Sequence, residues 1–244
     1  MSKYFYTILL AVLSAFAVVA QGPKLISPAI VAFNNGKAFK EKGMLKESIV
    51  SFKKAISLNK KYDSAYLELA RVYASMGKAD SALMVLNQST KQFPGFAGAY
   101  VLMGDLHRDY TKNPDLAIAS YLNALKIDTS NKTTYYSLAW CSNAKGYYRE
   151  AIKYGIRALE IDNDYKPAYN ELGHAYRQLK AFDECVNQFK KNLAISVNEL
   201  PMLYCGYSYM ELNQKENALK MYEELNKINP KMAAALKKRL DAMQ

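Results

Sequence analysis

Apolar and polar residues alternate along this chain with a spacing of three to four, the signature of helices that bury one face. From Asp63 to Phe96 the apolar or small positions are Tyr66, Leu69, Ala70 and Tyr73, then Gly77, then Ala82, Leu86, Ser89 and Pro94. Each half of that series fits one amphipathic helix, and Gly77 separates the two, so the spacing predicts a helical hairpin. The same skeleton returns at intervals of 33 to 35 residues. Tyr135, Leu138 and Ala139 lead to Gly146, then Tyr148, Ala151, Ala158 and Ile161. Tyr169, Leu172, Gly173 and Tyr176 precede Phe182, Cys185, Phe189 and Ile195, with Lys180 standing at the turn in place of glycine. Tyr100, Met103 and Gly104 precede Tyr121, Ala124 and Ile127, with one extra residue in the turn around Lys112, Asn113 and Pro114. The first unit supplies Gly36, Phe39, Gly43, Phe52, Ala55 and Leu58, and the sixth Gly206, Tyr209, Ala218, Tyr222, Leu225 and Pro230.

Self-similarity at this period marks a repeat architecture, in which a lone hairpin cannot bury its apolar face but stacked hairpins share one core. The expected boundaries are 29–62, 63–96, 97–131, 132–165, 166–198 and 199–232. The segment from Lys231 to Gln244 keeps helical spacing through Met232, Ala235, Leu236, Leu240 and Met243, with charges at Lys237, Lys238, Arg239 and Asp241, and residues 233–244 are expected to form a capping helix. The small residues Ala70, Gly104, Ala139, Gly173 and Gly206 recur where the first helix meets the second, answered by Ala82, Ala117, Ala151, Cys185 and Ala218. Gly155 replaces an aromatic and is expected to leave a thin spot or pocket in the fourth unit.

These residues resemble the tetratricopeptide consensus, in which an aromatic, a Leu, a small residue and a Tyr mark the first helix, and Ala, aromatic, Ala and Pro the second. The resemblance spans about residues 29 to 232. It implies an all-α, right-handed superhelical solenoid of six helix-turn-helix repeats plus the cap. It also implies that the first helices line a concave groove for peptides or partner segments. The groove positions are Lys37 and Lys40; Leu67 and Arg71; Val101, Asp105 and Arg108; Tyr136, Trp140 and Asn143. They continue with Asn170, His174 and Arg177, then Leu203, Tyr207 and Met210. Trp140, at a position usually polar or small, is expected to point into the groove as an anchor, with Arg108, Arg177 and Tyr207 around it, a surface suited to an acidic-aromatic segment. The clamp that some members of this family use for a terminal carboxylate is broken here, with Phe33 at its first Lys position and Lys37 at its Asn position.

Residues 1–20 stand outside the repeats. Lys3 precedes an apolar run from Ile8 to Ala20 that ends in small residues, which reads as a secretory signal cut between Ala20 and Gln21, with an uncleaved anchor as the rival. The run is shorter than the roughly 20 residues that cross a bilayer. The first cysteine is Cys141, so a lipid-anchoring cysteine is not available near the junction. The expected mature product is soluble and periplasmic or associated with the cell envelope, and residues 21–28 form a short leader.

Composition refines this picture. Half the residues are hydrophobic and Gly and Pro are few, as suits a helical chain, while 20 Tyr point to many half-buried positions. The formal charge of +11 falls to about +10 without Lys3. Such a surplus draws acidic partners, but export argues against nucleic acid. Cys141, Cys185 and Cys205 lack metal-site spacing, and the readings are three small buried residues or one Cys185–Cys205 bridge. His107 and His174 have no triad, metal or phosphate-loop partners, and His107 is expected to be a packed substitute for the repeat's Tyr. The sequence therefore points to a non-catalytic interaction module without cofactor or small-molecule substrate. Self-assembly through terminal helices or exposed aromatics, or regulation of an envelope enzyme, are the alternatives.

Overall fold

The computed structural model describes residues 27–243, so the expected signal and most of the leader lie outside the described residues. Thirteen helices and no strand occur among the described residues, and none of these helices is long and apolar enough to cross a membrane. The chain divides between Val72 and Tyr73 into two compact units.

The first unit holds α1 (Pro28–Glu41), α2 (Leu45–Leu58) and most of α3 (Asp63–Ser75). Pro28 opens α1 at its first turn, inside the expected leader, where a missing N–H costs nothing. The α1–α2 turn is closed by Gly43 at φ +72°, and the Met44 N–H donates to the Phe39 carbonyl at 2.9 Å. Across the hairpin a Cβ on Gly36 would stand 2.7 Å from the Phe52 ring, which is why the residue there has no side chain. Phe33 packs at 5.5 Å from Phe52 and 4.8 Å from Tyr62, so the residue that breaks the carboxylate clamp is half-buried against the core of Ala32, Ala55 and Ala65.

The second unit continues with α4 (Ala79–Gln92), α5 (Ala97–Asp109), α6 (Pro114–Leu125), α7 (Lys132–Ala144) and α8 (Tyr148–Ile161). It ends with α9 (Lys166–Gln178), α10 (Phe182–Ile195), α11 (Glu199–Glu211), α12 (Lys215–Ile228) and α13 (Pro230–Asp241). Hairpins α5/α6, α7/α8, α9/α10 and α11/α12 stack in chain order, each first helix also lying against the preceding hairpin. That is solenoid packing.

Each turn inside a hairpin uses one residue in the left-handed region. Gly77 and Gly146 fill it at φ +70° and +77°, but Lys180 and Asn213 also adopt it, at +60° and +57°. In each case the next N–H returns to a carbonyl five residues back: Tyr147 to Ser142, Ala181 to Tyr176 and Gln214 to Tyr209, at 2.8–2.9 Å. The third repeat's extra residue shifts this bond by one, so Lys112 takes φ +52° and Asn113 donates to His107 at 2.8 Å. A loop thus absorbs the insertion without disturbing either helix.

The small positions are packed as their spacing implies. Ala70, Ala82, Ala117, Ala139, Ala151, Cys185 and Ala218 are fully buried. A Cβ on Gly173 would come within 2.6 Å of the Phe189 ring, and one on Gly206 within 2.6 Å of Leu236 in α13. Gly155 departs from expectation. No thin spot forms, because Leu172 of the next repeat fills the space, its Cγ 2.8 Å from where a Cβ would stand. His107 also departs: it is half-buried, not core, with Nδ1 3.2 Å from Thr111 Oγ1.

The cap begins at Pro230, with the Asn229 side chain accepting from the Met232 N–H at 3.0 Å. Ala233, Leu236 and Leu240 are its buried face, while Lys237, Lys238 and Arg239 stay outside. All three cysteines are free and buried, so the bridge reading falls. Cys185 Sγ lies 3.1 Å from Ser208 Oγ, and Cys205 Sγ 3.9 Å from the Val186 carbonyl.

Candidate functional site

The expected groove residues differ in exposure and in the partners they already hold. In the first unit Lys37 and Arg71 are exposed and Leu67 half-buried, while Lys40 is held by Glu68 at 2.5 Å, with Arg71 Nε 3.6 Å from the same carboxylate. In the second unit Val101 packs against the core of Ala117, Tyr121 and Leu138, and Asp105 accepts from the Tyr121 hydroxyl at 2.8 Å.

Arg108 was expected to grip an acidic partner, yet its guanidinium is already engaged. Nε and Nη2 donate to Asp109 at 2.7 Å, Nη1 to Ser137 Oγ at 2.9 Å, and Asp105 stands 3.6 Å away. The hydrogen bonds to Asp109 raise its already high pKa further, so the charge is permanent but committed. Its carbon centre lies 5.9 Å from the Trp140 ring.

At the far end the cap changes the surface. Met210 is 5% exposed and belongs to the core with Ala218, Leu236 and Leu240, so it is no groove residue. Leu203 and Tyr207 pack against the same cluster, and Arg239 covers the Tyr207 ring at 5.0 Å. Helical spacing alone leaves α11 as an open groove wall; α13 seats on it because the last hairpin needs its apolar face covered.

The second unit holds a cavity of about 360 Å³. Four expected residues line it: Trp140 and Asn143 from α7, and Asn170 and His174 from α9. Glu171 from α9, Phe189 from α10, and Leu200 and Tyr204 from α11 complete it, with Ala144 at the end of α7. Trp140 is 39% exposed and Leu200 49%, whereas Asn143 is only 8% exposed. The wall toward α11 is aromatic, with Phe189 and Tyr204 stacked at 5.7 Å and Arg177 over Tyr204 at 5.1 Å. Tyr136 stands outside it, half-buried, with its ring edge-on to Tyr165 at 6.0 Å, filling a gap between repeats.

The polar floor of the cavity is charged with unmet hydrogen-bonding capacity. Asn143 Nδ2 donates to the Glu171 carbonyl at 3.0 Å and to Glu171 Oε2 at 2.8 Å, while Asn143 Oδ1 has no partner. Asn170 Oδ1 accepts from Asn192 at 3.2 Å. His174 Nδ1 and Arg177 Nε are buried without partners. Burial pushes the Glu171 carboxyl above its ordinary range, only partly offset by the Asn143 hydrogen bond. Burial, then the Arg177 charge, pushes the His174 imidazole down, toward neutrality. Glu171, Phe189, Leu200 and Tyr204 were missed because the cavity joins residues about one repeat apart, and single-helix spacing does not show which side chains meet across repeats. No group of three or more His, Cys, Asp or Glu suited to a metal occurs among the described residues.

The repeated hairpins, their glycine-and-aromatic seams and the terminal cap define a class of α-helical repeat protein. Family models described as tetratricopeptide repeat match residues 64–95, 97–131, 133–165, 167–196 and 206–232, and one described as TPR repeat matches 36–77. The chain belongs to the tetratricopeptide repeat family. Among curated relatives, the anaphase-promoting complex subunit cut9 of Schizosaccharomyces pombe is 22% identical over 161 residues, covering 61% of this chain. The chain spans 23% of that relative's length. Among solved structures, PilW, a widely conserved type IV pilus biogenesis factor, aligns with a TM-score of 0.70 at 17% identity, covering 85% of this chain and 97% of that one. YrrB, a TPR protein with an unusual peptide-binding site, gives 0.69 at 23% identity, covering 77% and 97%. Both likenesses are of fold.

Proposed function

We propose that this chain is a non-catalytic interaction module that holds a peptide or protein segment against the first helices of its later repeats, centred on Trp140. One observation carries this reading: an exposed indole beside a cavity whose floor keeps unpaired polar atoms, on the face formed by α7, α9 and α11. Pockets of this kind bury a few side chains against apolar walls and fix them with a small number of polar groups. The peptide-binding site of YrrB and the multisubunit complex to which cut9 belongs agree with such a role. The aromatic part of the expected ligand suits this wall, but the commitment of Arg108 to Asp105 and Asp109 removes one of the two guanidinium groups meant for acidic side chains.

A random-peptide display library panned on the full chain tests this. Enrichment of a sequence family that is not recovered on Trp140→Ala supports the reading, and equal recovery on both places binding elsewhere.

The compartment belongs to the same proposal. Export through residues 1–20 makes the module an adaptor of the cell envelope, and intact-mass measurement of envelope material should find a chain beginning at Gln21. Retention of Met1 through Ala20 contradicts a soluble adaptor.

A further inference from the structure

The amide orientation of Asn143 determines what the cavity lacks. Both groups that Asn143 meets on α9, the Glu171 carbonyl and Glu171 Oε2, are acceptors, so the side-chain NH2 must face them and the oxygen must face away. The unpartnered atom is therefore an acceptor, on a side chain that is 8% exposed and lines the cavity. Beside it is a carboxylate, which takes up to about four hydrogen bonds and has one at Oε2. In its Nε2–H tautomer, neutral His174 presents a third acceptor at Nδ1. Asn143 Oδ1 and Glu171 thus present acceptors to the cavity, and the unpartnered donor Arg177 Nε belongs to a side chain outside its lining.

The walls are of the opposite character. Trp140, Ala144, Leu200, Phe189 and Tyr204 offer hydrocarbon and aromatic surface. Two of these rings already attract guanidinium groups, Arg108 to Trp140 and Arg177 to Tyr204. Arg108 brings little net repulsion to a further cation, because Asp105 and Asp109 both accompany it.

We propose that this cavity is a recognition pocket for a lysine side chain of the bound segment, its ammonium group taken by Glu171 and Asn143 and its methylenes lying along Trp140, Leu200 and Tyr204. The inference rests on the groove reading above and adds the chemistry of one subsite. A long apolar stem with a charged, three-donor tip matches a pocket with apolar walls and an acceptor floor. The elevated carboxyl of Glu171 agrees with an acid that awaits its counter-charge. Arg177, on the same helix as Glu171, lies over Tyr204 at 5.1 Å rather than in an ion pair with Glu171.

The test uses the fluorescence of Trp140, the single tryptophan of the full chain. Three nine-residue alanine-glycine peptides, blocked at both ends, carry lysine, norleucine or glutamate at the centre. The lysine peptide should bind at least about tenfold tighter than the norleucine peptide, and the glutamate peptide weakest, as a charge-assisted contact in a shielded site requires. In Glu171→Gln, which keeps the acceptor that Asn143 uses, the lysine preference should shrink to about twofold or less. Equal binding of lysine and norleucine peptides, tighter binding of the glutamate peptide, or a preference that survives Glu171→Gln overturns the pocket. Library-selected segments that need Trp140 but are not displaced by the lysine peptide overturn the pocket and leave the groove reading standing. A library with no Trp140-dependent binder overturns the groove reading itself.

Discussion

Asn143 donates to Glu171 twice across 28 residues of sequence, to the backbone carbonyl at 3.0 Å and to the carboxylate at 2.8 Å. One side chain therefore locks the end of α7 to the middle of α9 while leaving its own oxygen toward the cavity. The carboxylate it holds is destabilised by burial, which makes the pair a cost in the free protein.

That cost has a defined pH dependence. Because the folded-state pKa of Glu171 is raised, folding favours its protonated form, and the stability it contributes is full below the ordinary glutamate range and lost as pH rises through the folded value. Glu171→Gln removes the ionisation but keeps the hydrogen bond from Asn143. Thermal melts should place the variant above the parent at pH 7, with the gap closing near pH 4; a variant less stable than the parent at pH 7 contradicts this.

Lys180 holds a backbone conformation that glycine adopts freely, at φ +60°, in a turn where the equivalent residues of other repeats are Gly77 and Gly146. Its side chain is exposed, so nothing is lost by removing it. Lys180→Gly should raise stability by about 0.5–1 kcal/mol, the strain relieved outweighing the extra freedom of the unfolded chain. Urea titration reads this as a higher midpoint at unchanged slope.

The three thiols are sealed. Burial pushes Cys141 up to about 11 and Cys205 up to about 12, and raises Cys185 despite the opposing contact with Ser208. Since the thiolate is the reactive form, a chromogenic disulfide reagent at pH 8 should leave the native protein unlabelled and modify all three residues in denaturant. Rapid labelling of one native cysteine would show that its repeat opens.

Most of the fold was legible because each repeat states its own geometry. Gly173 needs Phe189 and Gly36 needs Phe52 at fixed distances in sequence, and these pairs lie within one hairpin. The site was legible only in part. The family resemblance, with helical spacing, puts Trp140, Asn143, Asn170 and His174 in the groove, but the contact of Asn143 with Glu171 crosses between repeats and has no local signature. The loss of Met210, Leu203 and Tyr207 to the cap has the same origin, since a helix that covers a surface leaves no trace in the spacing of the helix it covers. Gly155 misled for this reason also: the residue that fills its gap, Leu172, belongs to the next repeat.

Trp140 is 39% exposed on a helix whose neighbouring side chains Leu138, Ala139 and Cys141 are fully buried. The decisive measurement is a calorimetric titration of a library-selected segment into the parent and into Trp140→Ala, alongside circular dichroism of both. Loss of an anchor residue costs about 2 kcal/mol or more, near thirtyfold in affinity. Trp140→Ala should show that loss with helical content and melting temperature unchanged; a folded variant that binds the segment at full strength rules out the indole as the anchor.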